Sequence, residues 1–315
     1  DLSRFPFIIS VACLELCNFA SYNSILSSMT VSTQDRPNDL YSSPYLVDYY
    51  DIVAPSSQSV DDASFYWKTY QDLKALRSST PDDPFVIMDV GTGTGRVLHG
   101  LERNAAEVNA DFSNTEVLGV DNAQHMLDKA EKTTTGPLEG HVSWINGSAL
   151  DLEAVMRERV HRNTDLLIFS IGSISHLSED GQPETFLNQV SKVLRPGTGR
   201  AYVSIYDGSL LHKKKDIAFH QPQGVTEIQS KVFPHIVYRE SNHRGDLEGN
   251  IKYVKFDLKA VNNEDQTILE KNHISMKMRQ WEEDELVSLS SKTGVTFVER
   301  IRGAHETFYV FKTTA

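Results

Sequence analysis

The chemically most telling part of this chain is a run in which an acidic residue precedes three alternating glycines. Asp89 is followed by Gly91, Gly93 and Gly95, and residues 85–90 are almost entirely apolar. Such an apolar run predicts a buried strand of a parallel sheet, and the glycines let the next turn bend sharply against a flat ligand. A strand, a glycine-rich turn and a helix together predict a nucleotide-like ligand at the carboxyl edge of the sheet.

The spacing of the glycines separates two classes of ligand. A dinucleotide site uses the pattern G-x-G-x-x-G and places the pyrophosphate at the helix N-terminus, whereas here the third glycine comes one residue earlier. The Asp89 carboxylate would repel a pyrophosphate and attract an ammonium group. We therefore expect a ligand with a zwitterionic amino-acid group, and an NAD(P)-dependent oxidoreductase is disfavoured. The alternative is a glycine-rich turn that binds no ligand.

Further polar candidates follow the next predicted strands. Asp121 ends the second strand, where its carboxylate can accept hydrogen bonds from both hydroxyls of a ribose. The alternative is that Asp121 is the N-cap of the following helix, because an N-cap residue would stand at the same position. Ser148 and Ala149 follow the third strand, and Ser170 and Ile171 end the fourth. Their order at successive strand ends predicts one binding site at the carboxyl edge of the sheet.

The elements that must position these residues alternate strictly between strands and helices. This alternation predicts a doubly wound α/β fold with a mostly parallel seven-stranded sheet. The last two strands are joined by a short turn at Gly303, so they must form a C-terminal antiparallel hairpin. The predicted strands span residues 85–90, 116–120, 141–145, 165–170, 199–206, 295–300 and 306–311.

The remaining segments do not follow this alternation. Residues 207–280 contain several β-rich runs without a clear helix, which predicts an antiparallel insertion over the active-site edge that forms a substrate cap. Residues 40–80 are tyrosine-rich and predict an N-terminal helical lid. Residues 1–28 are expected to form a poorly structured or non-native N-terminal extension, and residues 29–315 a single domain.

Composition narrows the range of partners. The net charge of −12 disfavours a nucleic-acid substrate, because the only dense basic run is Lys213–Lys215 in a predicted loop. The only cysteines, Cys13 and Cys17, are too few for a disulfide framework or a zinc site and predict a reducing, cytoplasmic compartment. The apolar stretch 5–14 is too short to span a bilayer, so we expect no membrane association. No residue grouping has the spacing of a metal site.

Together these motifs resemble the class I S-adenosylmethionine (SAM)-dependent methyltransferases that act on small molecules. The resemblance covers roughly residues 89–206 and rests on the Asp89 glycine pattern, Asp121, and the run Arg195-Pro196-Gly197 after a helix. The closing antiparallel hairpin is also similar to that of this family. The resemblance implies SAM as cofactor, S-adenosylhomocysteine (SAH) as product, and methyl transfer to a nitrogen, oxygen or sulfur of a small organic molecule.

The resemblance also implies roles for individual residues. Met126 is expected against the adenine, although packing in the core is the rival interpretation. Ser148 stands where an aspartate often accepts from the adenine amine, and Tyr50 is expected to close over the cofactor, although it could instead be part of a tyrosine-rich helix face packed on the sheet. The implied cofactor-binding set is Tyr50, Asp89, Gly91, Thr92, Gly93, Gly95, Asp121, Asn122, Met126, Ser148, Ala149, Ser170 and Ile171.

The acceptor site is less well marked by the sequence. Tyr45, Tyr49, His176 and Tyr206 are its expected lining, with His176 as the candidate base or, alternatively, a residue that fixes its loop. Two other functions remain open: a SAM-binding enzyme that rearranges or cyclises a natural product, and a non-catalytic SAM-binding regulator. Transfer of label from methyl-labelled SAM separates them from a methyltransferase.

Overall fold

The computed structural model describes residues 37–38, 41–53, 62–110, 112–157, 159, 163–211 and 225–313. The expectations for residues 1–28, including Cys13 and Cys17, and for Lys213–Lys215 lie outside these described residues. Within the described ranges, no helix has both the length and the apolar character needed to cross a membrane.

The first half of the described chain alternates between strands and helices, as the sequence predicts. Its elements are β1 (Pro37–Asn38), α1 (Pro44–Val53), α2 (Asp62–Ala75), β2 (Phe85–Val90), α3 (Arg96–Glu107), β3 (Thr115–Asp121), α4 (Gln124–Thr133), β4 (Val142–Asn146), α5 (Leu152–Arg157), β5 (Leu166–Phe169), α6 (Gln182–Val193) and β6 (Arg200–Tyr206). The second half is richer in strands. Its elements are β7 (Thr226–Gln229), β8 (Ile236–Glu248), β9 (Ile251–Asn262), β10 (Ile268–Arg279), α7 (Glu285–Ser290), β11 (Val295–Arg302) and β12 (Glu306–Thr313).

Seven strands form the main sheet in the order β11-β12-β6-β5-β2-β3-β4. The strands from β2 to β6 pair in parallel, whereas β12 pairs antiparallel with both β6 and β11. This confirms the predicted doubly wound α/β fold with its C-terminal antiparallel hairpin. The strand order reverses at β2, which lies between β3 and β5, and ligands of open α/β sheets bind at such a switch point.

Strand β2 is buried along its whole length because helices cover both faces of the main sheet. Its side chains alternate between the faces: Phe85 and Ile87 join the cluster with α2 and α3, and Val86 and Met88 join the cluster with α5 and α6. This two-sided burial is why the strand reads as a continuous apolar run. Helix α2, which the sequence assigned to the 40–80 lid, packs in this core through its aromatic residues.

A second sheet contains β7 to β10 in antiparallel order, with β1 paired in parallel to β10. Helix α1 packs on one face of this sheet, where Tyr45 and Tyr49 meet Tyr238 and Phe256. Strands β8 and β10 pair antiparallel with β9 over nearly their whole length, and the pairing of β8 continues through the mostly polar residues 244–248.

Candidate active site

The glycine turn after β2 adopts the left-handed backbone conformation that its sequence predicts. Gly91, Gly93 and Gly95 have φ angles of 62°, 58° and 81°. A Cβ on Gly91 would lie 3.2 Å from Phe169, and one on Gly95 would lie 2.7 Å from Trp144. A Cβ on Gly93 would meet no atom within 4 Å, so this glycine alone of the three faces open space. The turn therefore forms a cradle whose middle glycine is free to approach a ligand.

Asp121 holds this cradle against the end of β3. The backbone N–H of Gly93 donates to one carboxylate oxygen at 2.9 Å, and that of Ala123 donates to the other at 2.8 Å. Both carboxylate oxygens are thus fixed by backbone donors while the residue still lines the cavity beside the turn. A carboxylate oxygen can accept more than one hydrogen bond, so the fixed carboxylate can also accept from the two ribose hydroxyls that the sequence analysis expects.

Asp89 lies beneath the turn and is only 1% exposed. One of its carboxylate oxygens accepts a hydrogen bond from the Thr92 hydroxyl at 2.7 Å, and the other has no hydrogen-bond partner. Burial raises the pKa of Asp89 to about 7. An unpartnered buried carboxylate oxygen below an open cradle is what a cationic amino-acid group would satisfy, so the site fits SAM.

Three charged residues that the sequence analysis did not select, Asp62, Arg96 and Glu306, lie close to the loop that follows β5. Arg96 forms two hydrogen bonds with Asp62, at 2.5 and 2.8 Å, and lines the cavity. Glu306 accepts from the backbone N–H of Ile171 at 3.2 Å, and burial raises the pKa of Glu306 to about 7. Ile171 has a φ of 42°, so Glu306 helps to hold a strained turn.

The sequence offers unequal signals for these residues. Arg96 directly follows the last glycine of the motif, so its position in the sequence could have marked it as a site residue. Asp62 and Glu306 begin α2 and β12, far along the chain from the motif, and no local pattern marks them. All three meet only because α2, α3 and β12 converge below the end of β5.

A cavity of about 730 Å³ opens at the carboxyl edge of the main sheet. It brings together most of the residues that the sequence analysis assigned to the cofactor, together with the candidate base. These are Tyr50, Gly91, Thr92, Gly93, Asp121, Asn122, Met126, Ala149, Ser170, Ile171 and His176. Asp89 and Gly95 lie behind this surface, where they shape the turn rather than line the cavity.

Four other expected residues do not line this cavity. The Ser148 hydroxyl accepts from the backbone N–H of Leu150 at 3.1 Å, and only its neighbours reach the cavity wall. Tyr45 and Tyr49 lie one helical turn apart on the face of α1 that the second sheet buries. Tyr206 is 41% exposed and lies over Gly208. These three tyrosines, which the sequence analysis expected along the acceptor pocket, therefore lie outside the lining of this cavity.

The far end of the cavity is formed by aromatic rings and by the second sheet. The Tyr41 ring lies 5.4 Å from that of Tyr50 and 6.2 Å from that of His176, in edge-to-face orientations. Strand β10 contributes Met276 and also Lys277, whose ammonium donates to Glu179 at 2.6 Å. Among the described residues, no group of three His, Cys, Asp or Glu side chains is placed to hold a metal ion.

Comparisons with known proteins agree with this geometry. A family model described as a methyltransferase domain matches residues 87–197. The N-methyltransferase FrzE of Cladobotryum sp is 32% identical over 244 residues, which cover 76% of this chain and 84% of FrzE. The solved structure of the sugar N-methyltransferase KedS8 from Streptoalloteichus sp is similar with a TM-score of 0.60 and 12% identity, covering 90% of this chain and 98% of KedS8.

A SAM-dependent methyltransferase from Clostridium acetobutylicum is similar with a TM-score of 0.56 and 13% identity, covering 86% of this chain and 98% of that protein. These two structures share the fold, and FrzE is similar in sequence over most of both chains. The matched range includes the glycine cradle, the buried Asp89 and the Asp121 carboxylate. The chain therefore belongs to the SAM-dependent methyltransferases with a class I, Rossmann-like fold.

Proposed function

We propose that this enzyme transfers the methyl group of SAM to a nitrogen of a small organic molecule. The observation that carries the nitrogen assignment is the similarity to FrzE, which is named an N-methyltransferase and is 32% identical over 76% of this chain. The net charge of −12 suits a small molecule better than a nucleic acid, and the two cysteines suit a reducing, cytoplasmic compartment.

The acceptor is proposed to lie at the aromatic end of the cavity, with residues 207–280 as its cap. Tyr41, Tyr50 and His176 surround that end, and Met276 and Lys277 of β10 close it from the second sheet. Aromatic faces attract a positively charged nitrogen through their quadrupole. They would therefore favour the ammonium that forms when an amine gains a methyl group.

SAM supplies a methyl group made electrophilic by its sulfonium, so the protein mainly has to align the acceptor and exclude water. In the reaction the nitrogen–methyl bond forms, the sulfur–methyl bond breaks, and the methylated nitrogen gives up a proton. Alignment alone can contribute on the order of 7–11 kcal/mol to lowering the barrier. A neutral amine can attack without a base, whereas an alcohol needs one. His176 lines the cavity, and we propose it as the group that can receive this proton.

The experiment uses methyl-labelled SAM and matched sets of acceptors that share one carbon skeleton and carry an amine, a hydroxyl or a thiol. We expect label in the amine product only. Label in the alcohol or thiol product would contradict the nitrogen assignment. Turnover that leaves the label on SAM would instead support a rearranging or cyclising enzyme, and binding of SAM without any turnover across the panel would support a regulator.

A further inference from the structure

Helix α1 carries two aspartates that attach it to different parts of the molecule. Asp48 is buried and accepts from the hydroxyls of Ser230, at 2.5 Å, and Tyr238, at 2.9 Å, both next to or within the second sheet. Asp51 lies one turn later and contacts Thr94 and Lys129 of the cofactor-binding part of the chain. The helix therefore bridges the second sheet and the cofactor site.

The partners of Asp51 come from both sides of the cofactor pocket. The Thr94 hydroxyl donates to one carboxylate oxygen at 3.0 Å, and Thr94 stands between the second and third glycines of the cradle. The Lys129 ammonium lies 2.5 Å from the other oxygen, and Lys129 follows Met126 by one turn on α4. Asp51 thus ties α1 to the glycine turn and to the helix that carries the adenine-side methionine.

The contacts of Asp51 with Thr94 and Lys129 also position its neighbour, Tyr50. Tyr50 lines the cavity, and its ring meets the Tyr41 ring at 5.4 Å. Burial raises the pKa of Tyr50, while the nearby charge of Arg96 lowers it and those of Asp51 and Asp121 raise it. Tyr50, Arg96 and Asp121 all line the same cavity, so the residue beside Asp51 is part of the wall that faces the cofactor-binding residues.

We propose that Asp51, Thr94 and Lys129 form a latch, the Asp51 latch, which holds α1 and the Tyr50 ring over bound cofactor and slows its release. Asp51 is in this sense a positioning residue, since it acts through Tyr50. The inference rests on the cofactor binding that the proposed function requires. The side chains of Asp51 and Lys129 are 28% and 25% exposed, so solvent limits the strength of the pair but leaves it free to open.

The test compares three substitutions in the full chain: Asp51→Asn, Thr94→Val and Lys129→Met. Each removes one interaction and nearly preserves side-chain size. We expect each to raise the dissociation rate of SAH about threefold to tenfold, with an association rate that does not fall. Asp51→Asn combined with Lys129→Met should have less than the product of their separate effects, because both remove the same ion pair. Hydrogen exchange of residues 44–53 in the SAH complex should accelerate in all three variants.

The control is Lys68→Met, which removes the exposed ion pair of Lys68 with Asp72 on α2, away from the cavity. It should leave SAH dissociation and α1 exchange unchanged. SAH dissociation within twofold of the unaltered protein in all three latch variants would overturn the latch while leaving the proposed function intact. If the unaltered protein binds neither SAM nor SAH in calorimetry, both proposals are wrong.

Discussion

The backbone N–H of Gly93 donates to the carboxylate of Asp121 at 2.9 Å, although the two residues are 28 positions apart. This bond joins the turn after β2 to the end of β3, at the point where the strand order reverses. It fixes the orientation of a carboxylate that also lines the cavity. The same two residues thus connect the shape of the cradle to the wall of the cavity.

Replacing this carboxylate should weaken cofactor binding. We expect Asp121→Ala to raise the dissociation constant of SAM about 10- to 100-fold, because it removes the acceptor for charge-assisted hydrogen bonds from the ribose and from the glycine turn. Asp121→Asn keeps one carbonyl acceptor and should lose less. Isothermal titration calorimetry measures both, and equal affinities for Asp121→Ala and the unaltered protein would contradict the ribose assignment.

Substitutions of two glycines in the turn should separate binding from stability. Gly93→Ala and Gly95→Ala both place a Cβ on left-handed backbone, which costs about 1–2 kcal/mol. The Gly95 methyl would also clash with Trp144, at 2.7 Å, which adds about 1–3 kcal/mol, whereas the Gly93 methyl would enter open space in the cradle.

We therefore expect Gly95→Ala to lower the free energy of unfolding more than Gly93→Ala does. Gly93→Ala should weaken SAM binding with the smaller loss of stability. Urea unfolding and calorimetry on both variants provide the comparison. A Gly93→Ala protein that binds SAM normally would show that the cofactor does not approach this glycine.

The buried acids predict how stability changes with pH. Burial raises the pKa values of Glu306 and Asp89 to about 7, from ordinary values of 4.5 and 3.8. The folded protein therefore holds more protons than the unfolded chain between about pH 4 and pH 7. The contribution of these groups to the free energy of unfolding falls as pH rises through this window and becomes constant above it.

Glu306→Gln removes one of these titrating groups and keeps a carbonyl acceptor for the Ile171 N–H. Its melting temperature should fall less between pH 5 and pH 8 than that of the unaltered protein. Thermal unfolding at several pH values in this range measures the difference. Parallel curves for the two proteins would show that Glu306 does not titrate in the folded state as its burial implies.

His176 offers a test of how the acceptor loses its proton. For an amine that binds in its neutral form, we expect the kcat of His176→Gln to stay within about tenfold of that of the unaltered protein, because no base is needed for the attack. The KM for the acceptor should rise, since the ring forms part of the cavity wall beside Tyr41. A fall in kcat of about 100-fold or more, with loss of the acidic limb of the pH profile, would identify His176 as a base instead.

The fold and the cofactor end of the site were predictable from the sequence because their signals are local. The apolar run of β2, the glycines at 91, 93 and 95, and Asp121 at the end of β3 each report a requirement set by neighbouring residues. Backbone that must turn with positive φ favours glycine wherever the rest of the chain lies. The strict alternation of strands and helices then leaves few topologies for the main sheet.

Only the tertiary structure decided which side chains complete the site. Glu306 reaches Ile171 across 135 residues, and Asp48 reaches Tyr238 across 190. The burial of Tyr45 and Tyr49, with Tyr50 left to line the cavity, depends on which face of α1 meets the second sheet. Such contacts depend on how whole elements pack, and the residues near them in the chain carry no periodic pattern that encodes this packing.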